Sequence, residues 1–350
     1  MKVRLPVRKA ILARRTYETP AEGRLGKVRL DFNENTAGCG KAAHRAFARL
    51  GAKQLAMYPE YAGPTKRIAD HFRVRPDELV LTNGGDDALR VFFDTFVDPG
   101  SHILICEPTF PMYRYYAEIV GAGVNALRYT ATMAFPVEEA LAALRKKPRV
   151  LFLANPNNPT GTLVAKGAIA RILRAATETV IVLDEAYSEF SGESAVPWIR
   201  RYPHLFVAKT FSKAAGLAGL RLGAVIAQRD SLALVKRALP PYPVNVAALA
   251  AGVAAIEDKK TLSGHVREVK RLRNWFTNEL KKRNVRVLPS AGNFVLADFG
   301  QAGPALFRKL ARRGILVREK GKDLGAGFAR ITIGTKSELK KLLRLVPTAE

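Results

Sequence analysis

The chain has few cysteines, few acidic residues and no long apolar run. Its two cysteines, Cys39 and Cys106, form neither a CxxC pair nor a metal-type spacing. This excludes a disulfide framework and indicates a reducing compartment. The longest apolar run, residues 246–256, is much shorter than the roughly 20 residues that a membrane-spanning helix requires. We therefore expect a soluble, cytoplasmic protein that has no membrane contact and binds no metal.

Acidic residues are scarce beside basic ones: 31 Asp and Glu against 57 Lys and Arg, a formal net charge of +26. Such a charge suits a nucleic-acid binder, a protein on an acidic membrane surface or an enzyme for anionic metabolites. The basic residues, as in 145-RKKPR-149 and 270-KRLRNWF-276, are spread along the chain without a recognisable nucleic-acid module. We interpret them as solvated surface and predict no nucleic-acid partner. A regulator that has kept an enzyme fold is the alternative from another class.

Short, wholly apolar runs alternate with longer amphipathic segments in the first two thirds of the chain. Strands buried on both faces of a helix-covered sheet have this pattern, which is typical of an α/β domain. Residues 86–97 and 164–176 carry apolar side chains at helical spacing between such runs. We place this large α/β domain at residues 41–240. The runs are 79-LVLT-82, 102-HILIC-106, 150-VLFLA-154, 180-VIVLD-184, 205-LFVAK-209 and 223-GAVIA-227.

After about residue 240 the pattern changes. A basic amphipathic segment at about 247–283 precedes several short strands, which is typical of a small α+β domain. We place this domain at residues 241–350 and expect residues 1–40 to form an arm that packs with it. The predicted strands are 285-VRVLP-289, 293-NFVLAD-298, 315-ILVRE-319 and 330-RITIG-334.

Polar motifs follow several predicted strands, where α/β sheets carry their functional loops. In 82-TNGGDD-87 two glycines lead into a helix, so that backbone N–H groups can hold an anion; a simple tight turn is the alternative. The motif 155-NPNNPTG-161 reads by itself as a turn. Asp184 ends an apolar strand and can pair with a protonated ring nitrogen or cap the next helix. Tyr187 could face the same pocket.

A lysine lies among small residues and glycines in 209-KTFSKAAGLAGLRLG-223, although lysine usually prefers solvent. Desolvation and a neighbouring cation such as Arg221 lower a lysine pKa, which suits Lys213 to form a Schiff base. Ser212 and Lys213 lack the SxxK spacing of an acylating serine. Further along, Arg330 begins a strand and could close over an anionic substrate group, or be an ordinary edge cation.

The order of these motifs resembles the pyridoxal-phosphate enzymes of the aspartate aminotransferase fold. Within that group the chain is similar to the histidinol-phosphate aminotransferase family, from about residue 28 to 335. The resemblance implies fold type I, with a mainly parallel seven-stranded sheet in the large domain and a smaller α+β domain, and pyridoxal 5'-phosphate as cofactor. The motifs that carry it are 30-LDFNEN-35, 57-MYPEYAG-63, 108-PTFPMY-113, NNPTG, DEAY, TFSKAAGLAGLRLG and ARITIGT.

The same resemblance implies roles around the cofactor ring. Lys213 would form the Schiff base and then move the substrate proton as general acid and base. Asp184 would pair with the pyridinium nitrogen, and Asn158 and Tyr187 would hydrogen-bond the phenolic oxygen. Phe110 would stack on the ring, where many relatives carry tyrosine.

For the cofactor phosphate, the resemblance implies the backbone N–H groups of Gly85 and Asp86, the hydroxyls of Thr210 and Ser212, and Arg221. Thr210 stands where serine is common and keeps the hydroxyl.

The resemblance further implies a homodimer in which Tyr58 reaches the phosphate of the neighbouring subunit. Arg330 would bind an anionic group of the substrate, with Arg318 and Asn293 near it. Tyr17 and Asn33 would line the entrance.

The implied reaction is a ping-pong transamination between small anionic amines and 2-oxo acids. Its substrates would most directly be L-histidinol phosphate and 2-oxoglutarate, in histidine biosynthesis. An aromatic or broad-specificity amino acid aminotransferase, or a threonine-phosphate decarboxylase on the same scaffold, is the alternative, because one fold hosts many substrates.

Overall fold

The computed structural model describes residues 6–14 and 22–347. The strands in this part of the chain are β1 (Val28–Leu30), β2 (Leu79–Thr82), β3 (His102–Glu107), β4 (Gly123–Arg128), β5 (Val150–Ala154), β6 (Val180–Asp184), β7 (Leu205–Thr210), β8 (Gly223–Ala227), β9 (Arg286–Val287), β10 (Phe294–Asp298), β11 (Ile315–Glu319) and β12 (Phe328–Thr332).

The helices are α1 (Lys9–Leu12), α2 (Lys41–Ala48), α3 (Ala52–Ala56), α4 (Ala62–Phe72), α5 (Gly84–Phe96), α6 (Met112–Val120), α7 (Val137–Leu144), α8 (Lys166–Ala175), α9 (Ser188–Ser191), α10 (Arg229–Ala238), α11 (Val246–Glu257), α12 (Lys259–Lys281), α13 (Gly303–Arg312), α14 (Gly321–Leu324) and α15 (Lys336–Leu343).

Seven strands form the larger sheet, in the order β2-β8-β7-β6-β5-β3-β4, with β8 antiparallel to both of its neighbours. Side chains alternate between its two faces. On β5, Leu151 and Leu153 pack into the core on one face, while Phe152 and Ala154 pack into the core on the other. Burial on both faces explains the wholly apolar runs, and the sheet confirms the predicted α/β class.

The strand β4 has no counterpart among the apolar runs of the sequence. It pairs only with β3, at the edge of the sheet. Asn125 and Ala126 in its middle are exposed. A half-solvated edge strand needs no continuous apolar run, so composition alone did not reveal it.

The second sheet has five strands in the order β1-β11-β12-β10-β9. The strand β1 precedes the larger sheet in the chain, yet it pairs in parallel with β11, with Val28 opposite Ile315. This pairing carries the residues that follow β1 to the smaller sheet. The proposed domain limits at residues 40 and 240 stay a prediction.

The amphipathic segment predicted at about 247–283 is two helices rather than one. The helical conformation is interrupted at Asp258. The carboxylate of Asp258 accepts a hydrogen bond from the backbone N–H of Thr261 at 3.1 Å and so caps α12. Helix α11 packs its apolar residues, such as Leu249, into a core of the larger sheet. Helix α12 packs Leu272 and Phe276 into the core of the smaller one. This interruption lets α11 and α12 pack into different cores.

Within residues 6–14 and 22–347, no helix combines the length and the hydrophobicity required to cross a bilayer.

A close backbone approach joins the start of β8 to the turn before α5. A Cβ atom on Gly223 would lie 2.6 Å from the carbonyl carbon and oxygen of Gly84, and 2.8 Å from Thr82 Oγ1. Gly84 itself has a φ of +83°, in the left-handed region. Because the obstructing atoms are mostly backbone, no side-chain rotation can make room for a methyl group.

We expect Gly223→Ala to lower the midpoint of thermal unfolding, because overpacking of this kind costs about 1–3 kcal/mol. The matched control is Gly167→Ala in α8, where an added methyl group meets no atom within 4 Å. Alanine favours a helix over glycine by up to about 1 kcal/mol, so the control midpoint should stay equal or rise. Differential scanning calorimetry measures both. Equal midpoints for the two variants would contradict the tight approach.

Candidate active site

A cavity of about 480 Å³ opens at the carboxyl ends of β5, β6 and β7. Residues after β1 and residues of the smaller sheet close its other side. Most of the predicted site residues meet here, although they are far apart in the sequence. Those that line the cavity are Gly85, Asp86, Phe110, Asn158, Asp184, Tyr187, Thr210, Ser212, Lys213, Arg221, Arg318 and Arg330.

Lys213 lies in the turn that follows β7, with its amine inside the cavity. The Nζ atom donates a hydrogen bond to the backbone carbonyl of Phe32 at 2.9 Å. Burial, followed by the positive charge of Arg330, lowers the pKa of the Lys213 amine to about 8. A substantial fraction of this amine is therefore neutral near physiological pH and can act as a nucleophile or a base.

A second lysine, Lys209 on β7, also lines the cavity but is differently placed. Its Nζ lies 2.6 Å from Glu185 Oε2 and donates to Ser188 Oγ at 2.6 Å. Burial alone would lower the Lys209 pKa, but the charges of Glu185 and Glu189 outweigh it and raise that pKa above its ordinary value. Lys209 thus stays an ammonium ion, and Lys213 is the reactive amine of the pair.

Asp184 ends β6 at the floor of the cavity. Its Oδ2 accepts a hydrogen bond from the Tyr113 hydroxyl at 2.8 Å, and its Oδ1 accepts one from the backbone N–H of Ala186 at 3.1 Å. Burial raises the pKa of Asp184 and also raises that of Tyr113. Tyr113 ends the motif 108-PTFPMY-113, but no role was predicted for it. The signal was available, because a buried tyrosine in such a motif needs a partner for its hydroxyl.

The Tyr187 hydroxyl accepts hydrogen bonds from two side-chain amides, those of Asn33 at 3.0 Å and Asn158 at 3.4 Å. Asn158 is held in turn by Arg330, whose Nη1 donates to Asn158 Oδ1 at 2.6 Å. Since both amides donate, the proton of the Tyr187 hydroxyl is available to a group in the cavity. Asn33 is only 1% exposed. It therefore lies beneath Tyr187 and not at the cavity entrance, where it was expected.

Two other predicted residues, Asn293 and Tyr58, do not line the cavity. Asn293 is buried, and its Nδ2 donates to the Asn33 carbonyl at 3.0 Å, so it supports the wall from behind. Tyr58 is 79% exposed and stacks on Tyr242 with ring centroids 4.3 Å apart. Tyr17 lies outside the described residues.

The first turn of α5 faces one end of the cavity. Gly85 and Asp86 stand there with backbone N–H groups that a helix leaves without internal partners. Arg221 Nη2 lies 3.1 Å from Asp86 Oδ2. A Cβ atom on Gly84 would lie 2.6 Å from Arg221 Nη2. Glycine at position 84 therefore lets the guanidinium reach the helix start, and the two together form an anion-binding end.

Two hydroxyls complete that end. Thr210 Oγ1 donates to Ser212 Oγ at 3.0 Å. A Cβ atom on Gly85 would lie 3.7 Å from Thr210 Cβ, so the hydroxyl pair and the helix start are neighbours. Threonine at position 210 supplies the same kind of donor as the serine that is common there.

The opposite end of the cavity is cationic. Arg318 and Arg330 come from the smaller sheet, and Lys320, which was not predicted, joins them. Burial lowers the pKa of Lys320, whose Nζ donates to Asp323 at 2.9 Å. Arg318 and Lys320 are two positions apart at the end of β11, so side-chain alternation could have placed them on one side. This end suits an anionic substrate group.

The donor set fits pyridoxal 5'-phosphate. The anion-binding end suits the phosphate, the Asp184 carboxylate suits a protonated ring nitrogen, and the Lys213 amine suits the aldehyde. In the described part of the chain, no group of three His, Cys, Asp or Glu side chains could hold a metal ion.

We expect Arg221→Gln to weaken pyridoxal 5'-phosphate binding about 10- to 100-fold, since a charged hydrogen bond contributes about 1.5–3 kcal/mol. Pyridoxal, which lacks the phosphate, should bind both proteins equally well. Isothermal titration calorimetry measures the four affinities, and Arg229→Gln is the control at an exposed arginine that does not line the cavity. An equal loss for both ligands would contradict an anion-binding role of Arg221.

Comparison with known proteins agrees with this geometry. The profile of the family described as aminotransferase class I and II matches residues 26–346. Histidinol-phosphate aminotransferase 1 of Carboxydothermus hydrogenoformans is 35% identical over 322 residues, which are 91% of each chain. The histidinol-phosphate aminotransferase of Bacillus subtilis is 32% identical over 327 residues, 91% of this chain and 90% of that one.

Solved structures give the same answer for the fold. The histidinol-phosphate aminotransferase of Clostridium acetobutylicum has a TM-score of 0.84 and 26% identity, with 91% of this chain and 98% of that chain covered. The enzyme of Sinorhizobium meliloti, solved in complex with pyridoxal-5'-phosphate, has a TM-score of 0.86 and 24% identity over 91% and 90% of the chains. The chain therefore belongs to the class I and II aminotransferases, in the histidinol-phosphate aminotransferase family, and is a pyridoxal-phosphate-dependent aminotransferase.

Proposed function

We propose that this aminotransferase transfers the amino group of L-histidinol phosphate to 2-oxoglutarate, in histidine biosynthesis and in the cytoplasm. The observation that carries the proposal is the cationic end of the cavity. Arg318, Lys320 and Arg330 converge there, and guanidinium groups bind phosphate and carboxylate in two-pronged geometry. Relatives named histidinol-phosphate aminotransferase, at 31–35% identity, support the same substrate.

We propose that four residues hold the cofactor ring. Asp184 would hold the ring nitrogen, Asn158 and Tyr187 the phenolic oxygen, and Phe110 one face of the ring. Bound pyridoxal 5'-phosphate supplies an electron sink for the charge left at the substrate Cα when its proton departs. The Asp184 carboxylate stabilises a positive ring nitrogen by charge pairing across a buried, low-dielectric contact.

The cofactor phosphate would lie at the anion-binding end. The backbone N–H groups of Gly85 and Asp86, the hydroxyls of Thr210 and Ser212, and Arg221 would hold it. Asp86 already holds the Arg221 guanidinium by its carboxylate at 3.1 Å, so the arginine is oriented before a phosphate arrives.

Lys213 would attach the cofactor and, when displaced by substrate, carry the proton. Its amine would accept the proton from the substrate Cα and would then donate it to the cofactor carbon that carries the transferred nitrogen. The Phe32 carbonyl, 2.9 Å from Nζ, orients the amine during that exchange. The lowered pKa of about 8 keeps donor and acceptor forms both accessible.

Substrate binding would draw mainly on the smaller sheet and the segments next to its strands. Arg330 and Arg318 would bind the anionic group, and Tyr17 would face the entrance. Asn33 and Asn293 would act from behind the wall, because Asn293 holds the Asn33 carbonyl and Asn33 holds the Tyr187 hydroxyl.

We also propose a homodimer in which Tyr58 reaches the phosphate end of the cavity in the partner subunit. Tyr58 is 79% and Tyr242 52% exposed, and the two rings stack on each other. Leu55 and Met57 next to them are also exposed, at 62% and 67%. A surface with this many large apolar side chains is typical of a protein interface.

The substrate assignment is tested with a panel of amino donors: L-histidinol phosphate, L-histidinol, L-phenylalanine and O-phospho-L-threonine. Glutamate formed from 2-oxoglutarate is measured, together with any CO2 released. We expect the highest kcat/KM for L-histidinol phosphate, at least about 100-fold above L-histidinol, because the missing phosphate forfeits charged hydrogen bonds of about 1.5–3 kcal/mol each. Faster transfer from phenylalanine would support an aromatic aminotransferase. Release of CO2 from phosphothreonine would support the decarboxylase.

Reduction of the cofactor-loaded protein with borohydride should fix the cofactor on Lys213 and leave Lys209 unlabelled. The reason is that Lys213 has the lowered pKa, whereas Lys209 is held as an ammonium ion by Glu185. Peptide mapping by mass spectrometry locates the label. Lys213→Ala should carry no label and transfer no amino group. Label on Lys209 in the unaltered protein would overturn the assignment.

The single-turnover rate should rise about tenfold per pH unit below pH 8 and level off above it, because only the neutral Lys213 amine accepts a proton. Arg330 lowers the Lys213 pKa, so Arg330→Gln should move the inflection to higher pH. Stopped-flow absorbance at saturating substrate measures both profiles. An inflection that stays in place in Arg330→Gln would contradict the electrostatic coupling.

A further inference from the structure

Three successive backbone carbonyls after β1 each accept a hydrogen bond from a residue at the active site. The Asp31 carbonyl accepts from Arg330 Nη2. The Phe32 carbonyl accepts from Lys213 Nζ at 2.9 Å, and the Asn33 carbonyl accepts from Asn293 Nδ2 at 3.0 Å. The position of residues 31–33, here called the carbonyl loop, therefore sets the positions of both the reactive amine and the substrate-binding guanidinium.

The carbonyl loop belongs to neither an α-helix nor a β-strand. Asn33 has a φ of +54°, in the left-handed region, which an L-residue other than glycine adopts only where its surroundings hold it. Interactions other than the backbone hydrogen bonds of a helix or sheet must therefore hold the loop in place.

Arg24 contacts the loop and the residue after it through ion pairs and through a cation–π contact. Its Nε and Nη2 donate to the two carboxylate oxygens of Asp31 at 3.1 and 2.8 Å. Its Nη2 also donates to Glu34 Oε2 at 2.9 Å. Its guanidinium carbon lies 3.8 Å from the centroid of the Phe32 ring. One planar side chain thus touches Asp31, Phe32 and Glu34 at once.

The Arg24–Asp31 pair is buried, with side chains 9% and 5% exposed. A buried ion pair is weak evidence for stability, because desolvation offsets most of its attraction, and such pairs can instead select one conformation. Arg24 itself does not line the cavity, whereas Phe32 and Glu34, which it contacts, do. These features indicate that Arg24 acts on the reaction through geometry.

We propose that Arg24 is a positioning residue: it clamps the carbonyl loop so that the Phe32 carbonyl orients the Lys213 amine and the Asp31 carbonyl orients Arg330. The inference rests on the proposed role of Lys213 as proton carrier. It predicts that loss of the clamp slows proton transfer even though Arg24 touches neither substrate nor cofactor.

Arg29 offers a matched control within the same cluster. It also pairs with Glu34, through its Nε at 3.1 Å and through its Nη2. Its side chain is 36% exposed, and none of its hydrogen bonds or ion pairs in the described part of the chain involves Asp31 or Phe32. Like Arg24→Gln, Arg29→Gln therefore removes a positive charge and an ion pair with Glu34. It leaves the contacts between Arg24 and the loop in place.

The first experiment measures amide hydrogen exchange by mass spectrometry in the full-length protein, without substrate. The backbone N–H of Asn33 donates to Thr332 Oγ1 at 2.9 Å, so exchange over residues 31–35 reports the order of the loop directly. We expect exchange to accelerate about tenfold or more in Arg24→Gln and to stay near the original rate in Arg29→Gln. Equal exchange in the two variants would overturn the clamp.

The second experiment measures single-turnover rates of the cofactor-loaded variants with L-histidinol phosphate carrying hydrogen or deuterium at Cα. Misplacement of a catalytic group by about 1 Å can cost about 100-fold. We expect the rate for Arg24→Gln to fall about 10- to 100-fold with a larger isotope effect, since proton transfer becomes the slower step. Arg29→Gln should keep the original rate and isotope effect.

Faster exchange with an unchanged rate and isotope effect would overturn the positioning role and leave Arg24 a structural residue. Arg24→Lys keeps a positive charge at this buried position but loses the two-pronged contact with Asp31 and the flat stacking on Phe32. It allows the same comparison if Arg24→Gln does not fold. Its effects should lie between those of Arg24→Gln and Arg29→Gln. If the unaltered protein transfers no amino group, the proposed function fails, while the exchange experiment still decides whether Arg24 holds the loop.

Discussion

The active site depends on lowering the pKa of one buried amine beside another that stays charged. Lys209 and Lys213 are four positions apart and both line the cavity, yet their pKa values move in opposite directions. Desolvation acts on both. The difference is the nearest charge, since Lys209 meets Glu185 at 2.6 Å, whereas the strongest charge effect on Lys213 comes from Arg330. In the proposed reaction, the cation that binds the substrate also lowers the pKa of the amine that accepts the substrate proton, which couples binding to reactivity.

This coupling explains why the site needs two sheets. The larger sheet supplies Asp184 and Lys213 from adjacent strand ends, because parallel strands bring their carboxyl ends to one edge. The cations that it contributes to the cavity already pair with carboxylates, Lys209 with Glu185 and Arg221 with Asp86. Arg330 comes from the central part of the smaller sheet, where β12 pairs with both β10 and β11. The residues after β1 lie between these parts, and their carbonyls contact Arg330 and Lys213 together.

The sequence sufficed for those features that depend on local pattern or motif order. Apolar runs predicted the buried strands, but the exposed edge strand β4 had no such run. Amphipathic spacing predicted the segment at about 247–283 but did not reveal the capped break at Asp258 within it. Motif order identified the residues that line the cavity. It did not reveal Tyr113, Lys320 or the carbonyl loop, because the contact between Phe32 and Lys213 joins positions 181 apart in the chain. Such contacts follow from sheet pairing, which periodicity does not encode.

Asp184 illustrates how the fold balances opposing demands at one carboxylate. Burial raises its pKa, which favours the neutral acid and works against pairing with a positive ring nitrogen. The Tyr113 hydroxyl and the Ala186 N–H both donate to Asp184, and such donors favour the ionised form. Tyr113 can only donate in this pair, since burial keeps its own pKa far above the ordinary value. The Tyr113 hydroxyl therefore favours the charged carboxylate and opposes the effect of burial on its pKa. The same buried surroundings would strengthen the attraction between this carboxylate and a positive ring nitrogen.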